Sequence, residues 1–226
     1  MSHTPPPFDI KAFRQALGCF ATGVAIVTTR GSGGEPIGLT VNSFNSVSLD
    51  PPLVLWSLAK TSRHLPHFTA NGHWAVHILA ADQEALSNRF AKGGEDKFAG
   101  LPASTGAGGV PLLDGCAARL QCRMHAWHEG GDHLIFVGEV QHFERSERAP
   151  LVFHSGAYAW ALRKPHDLGQ DLGLPAVATD RDRLALQVRA EVLRLNSELL
   201  PQLPAEQAAL LHKRLQVLAA LTAPAD

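Results

Sequence analysis

The chain has 226 residues, 45% hydrophobic and 18% charged, a balance that excludes a disordered polypeptide and suits one large domain or a domain with an appendage. Twenty Lys and Arg against 21 Asp and Glu give a net charge of −1, so there is no general basic surface with which to displace counterions from nucleic acid. Cys19, Cys116 and Cys122 form no C-x-x-C pair and imply no disulfide framework, and no apolar run approaches the ~20 residues of a membrane span.

Met1 to Pro7 is proline-rich and lacks the basic and apolar regions of a secretory signal, which points to a cytoplasmic protein. Asp9 can cap a short helix carrying Ile10, Phe13, Leu17 and Phe20 at helical spacing. Val24 to Thr29 is β-branched and ends at the turn run Gly31-Ser32-Gly33-Gly34, and Ile37 to Val41 returns as the second arm of a hairpin. Leu53 to Trp56, after Pro51-Pro52, reads as a strand buried on both faces. Trp74 to Leu79 gives another strand, and a short helix runs from Asp82 to about Ala91. Gly93 to Gly115 reads as a long functional or mobile loop.

Ala118, Leu120, Cys122, Met124 and Ala126 then alternate with Arg119, Gln121, Arg123 and His125, the period of a strand with one dry face. Gly130-Gly131-Asp132 turns the chain into Leu134 to Val137, and a last short strand lies around Leu151 to Phe153. Six or more strands joined mostly by short turns favour a mainly β architecture, an antiparallel sheet closed into a barrel. From Pro165 the character changes. Gly169 to Ala178 reads as a linker, and two amphipathic helices follow, striped by Leu184, Val188, Val192, Leu195 and Leu199 and by Leu211, Leu215 and Leu218. Such faces must pack on the barrel or on another subunit.

Several motifs fail on chemistry. Gly31-Ser32-Gly33 and Gly106-Ala107-Gly108 imitate a dinucleotide fingerprint, but Pro36 and Pro111 stand where its third glycine belongs. His125, His128, His133 and His142 show no ligand-spaced pair, so no metal is expected. There is no nucleophile elbow, and Cys19 and Cys122 sit on apolar patterns and read as core. The unusual stretch is Gly38 to Leu53, where hydroxyl and amide side chains crowd beside an apolar strand and need either local backbone or a ligand to satisfy them. One strand later, Ser57 and Lys60-Thr61-Ser62-Arg63-His64 place hydroxyls and cations together, a set suited to phosphate, with Arg63 able to bind it bidentately.

These two clusters, with Phe13 to Gly18, Thr22-Gly23-Val24, Arg89-Phe90, Asp96 to Gly100, Gly131-Asp132-His133 and Gly156-Ala157-Tyr158, resemble the flavin reductase-like domain family in consistent order over roughly residues 8 to 162. The resemblance implies a split β-barrel over residues 1–164, followed by a linker and C-terminal helical extension over 165–226. It implies a homodimeric NAD(P)H:flavin oxidoreductase that reduces FMN or FAD with NADH or NADPH and supplies a flavin-dependent monooxygenase. It assigns Gly38, Leu39, Thr40, Asn42 and Ser43 to the flavin ring, with Ser46, Val47 and Ser48 nearby. Ser57, Thr61, Ser62 and Arg63 would hold the ribityl chain and phosphate, helped by Arg89 and Phe90, while His133 and Tyr158 would face the nicotinamide. His64 departs from the small polar residue expected there. The alternatives are a flavin-binding redox sensor without turnover and a pyridoxamine phosphate oxidase-like enzyme, the latter disfavoured by the Gly-Asp-His turn.

Overall fold

The computed structural model describes residues 8–93, 96–161 and 180–221, and the expected linker Gly169 to Ala178 lies outside them. Asp9 caps helix α1 (Ile10–Gly18), its carboxylate accepting the amides of Lys11 and Ala12 at 2.8 and 3.1 Å. The chain then runs through β1 (Thr22–Gly23), β2 (Ala25–Arg30), β3 (Pro36–Val41), β4 (Asn45–Leu49) and β5 (Pro52–Ala59). Helix α2 (Leu65–Asn71), β6 (His73–Ile78) and helix α3 (Glu84–Ala91) follow. Then come β7 (Ala103–Thr105), β8 (Pro111–Leu113), β9 (Ala118–Gly130), β10 (His133–Arg145), β11 (Leu151–His154) and β12 (Ala157–Trp160).

Seven strands make one antiparallel sheet in the order β3-β2-β6-β9-β10-β5-β4, and β1, β11 and β12 form a smaller one. The large sheet is not closed by hydrogen bonds, since β3 and β4 are its edges. It is nevertheless strongly curved. Only Asn42, Ser43 and Phe44 separate the two edge strands, a link that spans at most about 15 Å, whereas seven strands laid flat would put the edges roughly 29 Å apart. The Ser43 hydroxyl fastens this link to β5, accepting the Ser57 amide at 3.0 Å and donating to the Ser57 carbonyl at 3.1 Å.

The concave side encloses the main core: Val27, Ile37, Val41, Val54, Trp56, Leu58, Trp74, Val76, Leu134 and Phe136, closed by Phe68 of α2. Trp56 stacks on Phe136 at 4.8 Å and meets Phe68 and Trp74 edge-on. Gly138 allows this packing, because a Cβ there would stand 2.3 Å from the Trp74 ring. A second core on the other side of β2 gathers Val24, Ile26, Leu79, Phe90, Leu113 and Leu151.

β2 is therefore buried on both faces, with five consecutive buried residues, Ala25 to Thr29, and its neighbour β6 is likewise buried from Trp74 to His77. The expectation of two buried faces for Leu53 to Trp56 is corrected: β5 alternates, burying Val54, Trp56 and Leu58 while Leu53, Leu55 and Ser57 are half-buried. Val54, Trp56 and Leu58 point into the main core, while the opposite face of β5 is covered only in part. The stretch Gly93 to Gly115 is not a plain loop either. Its second half forms the β7–β8 hairpin, with Val110, Leu112 and Leu113 buried. Thr28 donates to the Pro111 carbonyl at 2.6 Å, and fully buried His77 joins Ile26 to Leu113, its Nδ1 3.0 Å from the Ile26 carbonyl and its Nε2 accepting the Leu113 amide at 3.0 Å. Cys122 is core as expected, but Cys19 is exposed just beyond α1, where its thiol donates to the Gln15 carbonyl.

The chain divides into two compact units, residues 1–161 and 162–226. Within the second, helix α4 (Asp180–Arg194) continues through a wider turn over Leu195–Leu199 and is followed by helix α5 (Ala205–Leu221). Val192 and Leu215 are its buried apolar side chains among the described residues.

Candidate functional site

Strand alternation divides β3 between two environments. Ile37, Leu39 and Val41 face the main core, while Gly38 and Thr40 face α3. Gly38 is where α3 packs closest: a Cβ would lie 2.5 Å from the Phe90 ring and 3.1 Å from that of Phe98. The Phe90 ring is itself fully buried, edge-on to Phe98 at 5.0 Å, so Gly38 and Phe90 pack against each other as core. Thr40 donates to the Ser87 carbonyl at 2.7 Å, tying the strand to the helix.

After α3 the chain turns back over β3. Asp96 accepts the Phe98 amide, and Arg89 donates to the carbonyls of Asp96 and Ala99, so its guanidinium braces this loop. Held there, Lys97 donates to the carbonyls of Phe90 at 2.7 Å and Gly38 at 3.3 Å. Opposite, the chain leaving β5 makes two tight turns, Ser62 N to Ala59 O at 2.9 Å and Leu65 N to Ser62 O at 3.1 Å, which bring Ser62, Arg63 and His64 round to face it.

Between these walls is a cavity of about 320 Å³ lined by Leu39, Thr40, Ser62, Arg63, His64, Phe90, Ala91, Lys92, Gly93 and Lys97. Its described lining has four basic side chains and no carboxylate. Burial holds Lys97 below the usual lysine range, and the Arg63 charge adds to the effect. Burial likewise lowers the pKa of His64, with Arg63, Lys97 and His67 each contributing. The charged groups among them repel one another, and an anion between them relieves that repulsion.

A second, more apolar cavity of about 260 Å³ shares Thr40 and Ala91 with the first and is completed by Val24, Val41, Asn42, Ser87, Phe153 and Tyr158. Tyr158 Oη lies 2.8 Å from Ser87 Oγ and 3.0 Å from Asn88 Oδ1. The amide oxygen only accepts, so the phenol donates to Asn88 and receives the Ser87 hydroxyl proton. The pair of cavities thus has a cationic end and an end suited to an aromatic ring.

The remaining sequence candidates lie outside these two cavities. Ser43 and Ser57 bond to each other across the edge link. Ser46, Val47 and Ser48 belong to the exposed edge strand β4, where a bulge falls between Ser46 and Ser48 and the Ser48 hydroxyl donates to the Asp50 carbonyl. Thr61 is exposed beside Ser62. His133 opens β10 opposite Ala59, at the sheet end that also carries residues 60–64, and its Nδ1 lies 2.7 Å from the Asp132 carboxylate. That contact holds the Asp132 carboxyl below its usual range. Sequence reasoning gave no role to Lys97, Ser87 or Asn88. Lys97 stood within a quoted motif, and a single Lys beside Phe in a polar loop was its only signal.

The sequence profile described as "Flavin reductase like domain" matches residues 17–161. The protein named "FMN reductase (NADH) SmoA" from Agrobacterium fabrum is 50% identical over 148 residues, 66% of this chain and 84% of that protein. The reductase component of a flavin-dependent trigonelline monooxygenase from Acinetobacter baylyi is 43% identical over 168 residues, 74% of this chain but only 54% of the relative. Among solved structures, the Streptomyces globisporus NADH:FAD oxidoreductase SgcE6 superposes with a TM-score of 0.66 at 39% identity, covering 72% of this chain and 99% of that one.

Proposed function

The chain belongs to the flavin reductase-like domain family, and from this membership we propose that it reduces FMN or FAD with NADH or NADPH and passes the reduced flavin to a partner flavin-dependent monooxygenase. The observation that carries the reading is the cationic cavity at Ser62, Arg63, His64 and Lys97 opening beside the apolar one at Thr40, Asn42 and Tyr158. A flavin phosphate fits the first by charge, and an aromatic ring fits the second by its apolar walls.

When bound, the two cofactors supply the redox chemistry, a hydride passing from the nicotinamide to the flavin. The chain's own work is to bind and orient. Arg63 and Lys97 hold the phosphate end with Ser62, while Thr40 and Asn42 flank the ring end. His133 donates its Nδ1 proton to Asp132, which leaves Nε2 as an acceptor for the nicotinamide carboxamide. In this role it positions the nicotinamide and carries no proton to the reaction. Tyr158, fixed between Ser87 and Asn88, shapes the second wall.

The curved seven-stranded sheet supports a split barrel in which the β3–β4 edges remain unzipped. Exposed Val47, Leu49, Trp127 and Phe143 support a homodimer that covers them. An enzyme consuming nicotinamide works where that pool is, in the cytoplasm. Among the described residues no helix is long and apolar enough to cross a membrane.

Nicotinamide oxidation by the purified chain under air, with FMN and FAD each paired with NADH and NADPH, tests the reading. Turnover well above the protein-free rate is expected with at least one pair. No turnover with any pair overturns it in favour of a flavin binder. In the same assay His133→Ala raises KM for the nicotinamide roughly tenfold, and unchanged KM and kcat remove His133 from that role.

A further inference from the structure

We propose that His64 makes this site sensitive to the charge of the flavin phosphate, taking up a proton when a phosphate dianion engages Arg63. The inference rests on the flavin reading above and adds to it a residue that the resemblance leaves without a role.

The geometry begins with the imidazole's two nitrogens. Arg63 Nε donates to His64 Nε2 at 3.3 Å, which makes Nε2 the acceptor and places the neutral ring's proton on Nδ1. That Nδ1–H is buried and finds no hydrogen-bond partner among the described residues. An unsatisfied buried donor is unfavourable. The backbone around it is fixed, because the His64 amide donates to Ser62 Oγ at 3.3 Å and the His64 carbonyl accepts the amides of His67 and Phe68. The side chain therefore answers to its charged neighbours.

Those neighbours are all potential cations. Arg63 precedes it, His67 lies one turn along α2 with ring centroids 6.2 Å apart, Lys97 faces it from the loop after α3, and Lys92 shares the same cavity wall. Together with burial they hold the imidazole neutral. A phosphate dianion reverses each of these influences. It draws the Arg63 guanidinium into a charge-assisted contact, which frees Nε2, and it supplies the negative potential that favours an imidazolium. The proton comes from solvent, so binding a phosphorylated flavin consumes a fraction of a proton and binding an unphosphorylated flavin consumes none. By linkage, affinity for the phosphorylated flavin rises as pH falls toward the His64 range.

Calorimetric titration of the full chain near neutral pH, in buffers of different ionisation enthalpy, counts the protons taken up with FMN and with riboflavin. The expected result is net uptake with FMN, near zero with riboflavin, and most of the FMN uptake lost in His64→Gln. Between about pH 8 and pH 6.5, where the phosphate stays mainly dianionic, FMN affinity of the natural chain relative to His64→Gln rises about three- to tenfold. The second variant, His64→Asn, repeats the comparison if His64→Gln does not fold. Equal proton uptake in natural and variant chains overturns the role of His64 while FMN binding and nicotinamide oxidation stand. Absence of both FMN binding and nicotinamide oxidation removes the flavin reading and this inference with it.

Discussion

Replacing His77 by alanine perturbs a side chain that holds the β8 segment to the sheet through two ring nitrogens. Accepting the Leu113 amide at Nε2 obliges Nδ1 to carry the proton donated to Ile26, so the fold requires a neutral imidazole. Burial pulls its pKa to about 4 from 6.5, with the Ile26 carbonyl opposing and Arg119 assisting. Because the folded pKa lies below the unfolded one, the unfolded chain binds the proton more readily. The stabilisation is whole above about pH 6.5 and declines as pH falls toward 4. From about pH 7.5 to about pH 4.5 that decline amounts to about 2–3 kcal/mol. The alanine variant has no such group. Its deficit in urea-unfolding free energy, measured at fixed protein concentration, should therefore be largest at pH 7.5 and shrink by that amount at pH 4.5. A deficit constant across the range refutes the reasoning, whatever its size, because it shows that the ring is not held neutral by the fold.

Two further substitutions test the packing. Gly138→Ala sets a Cβ 2.3 Å from the rigid, fully buried Trp74 ring, and should cost about 1–3 kcal/mol with a changed near-ultraviolet tryptophan signal. Tyr158→Phe strips the partner from the Ser87 hydroxyl, which is wholly buried, and should lower unfolding free energy by about 1–2 kcal/mol in the same urea titration.

Local pattern was enough for much of the sheet. The alternation from Ala118 to Ala126 marks β9, and the glycine turn before Gly38 marks the β2–β3 hairpin, because one dry face and one tight turn each leave a short-range signature. β4 escaped, since an exposed edge strand rich in Ser and Asn has no dry face to show and reads as turns. The C-terminal helices were legible by their spacing, although nothing in the spacing distinguishes the wider turn over Leu195–Leu199.

The sequence by itself determined the class of structure, the absence of a general basic surface and the polar residues at 38–48 and 57–64 from which most of the site candidates came. Tertiary structure decided which of them meet. Gly38 and Phe90 pack as core because α3 folds back over β3, and Ser43 finds the Ser57 backbone because the sheet curls until its edges are three residues apart. Lys97 joins Arg63 and His64 only because loops 34 residues apart in the chain converge on one cavity. A periodicity records which side of its own element a residue takes. The distance between elements is set by the curvature of the sheet and the packing of helices upon it, and no local run of residues contains it.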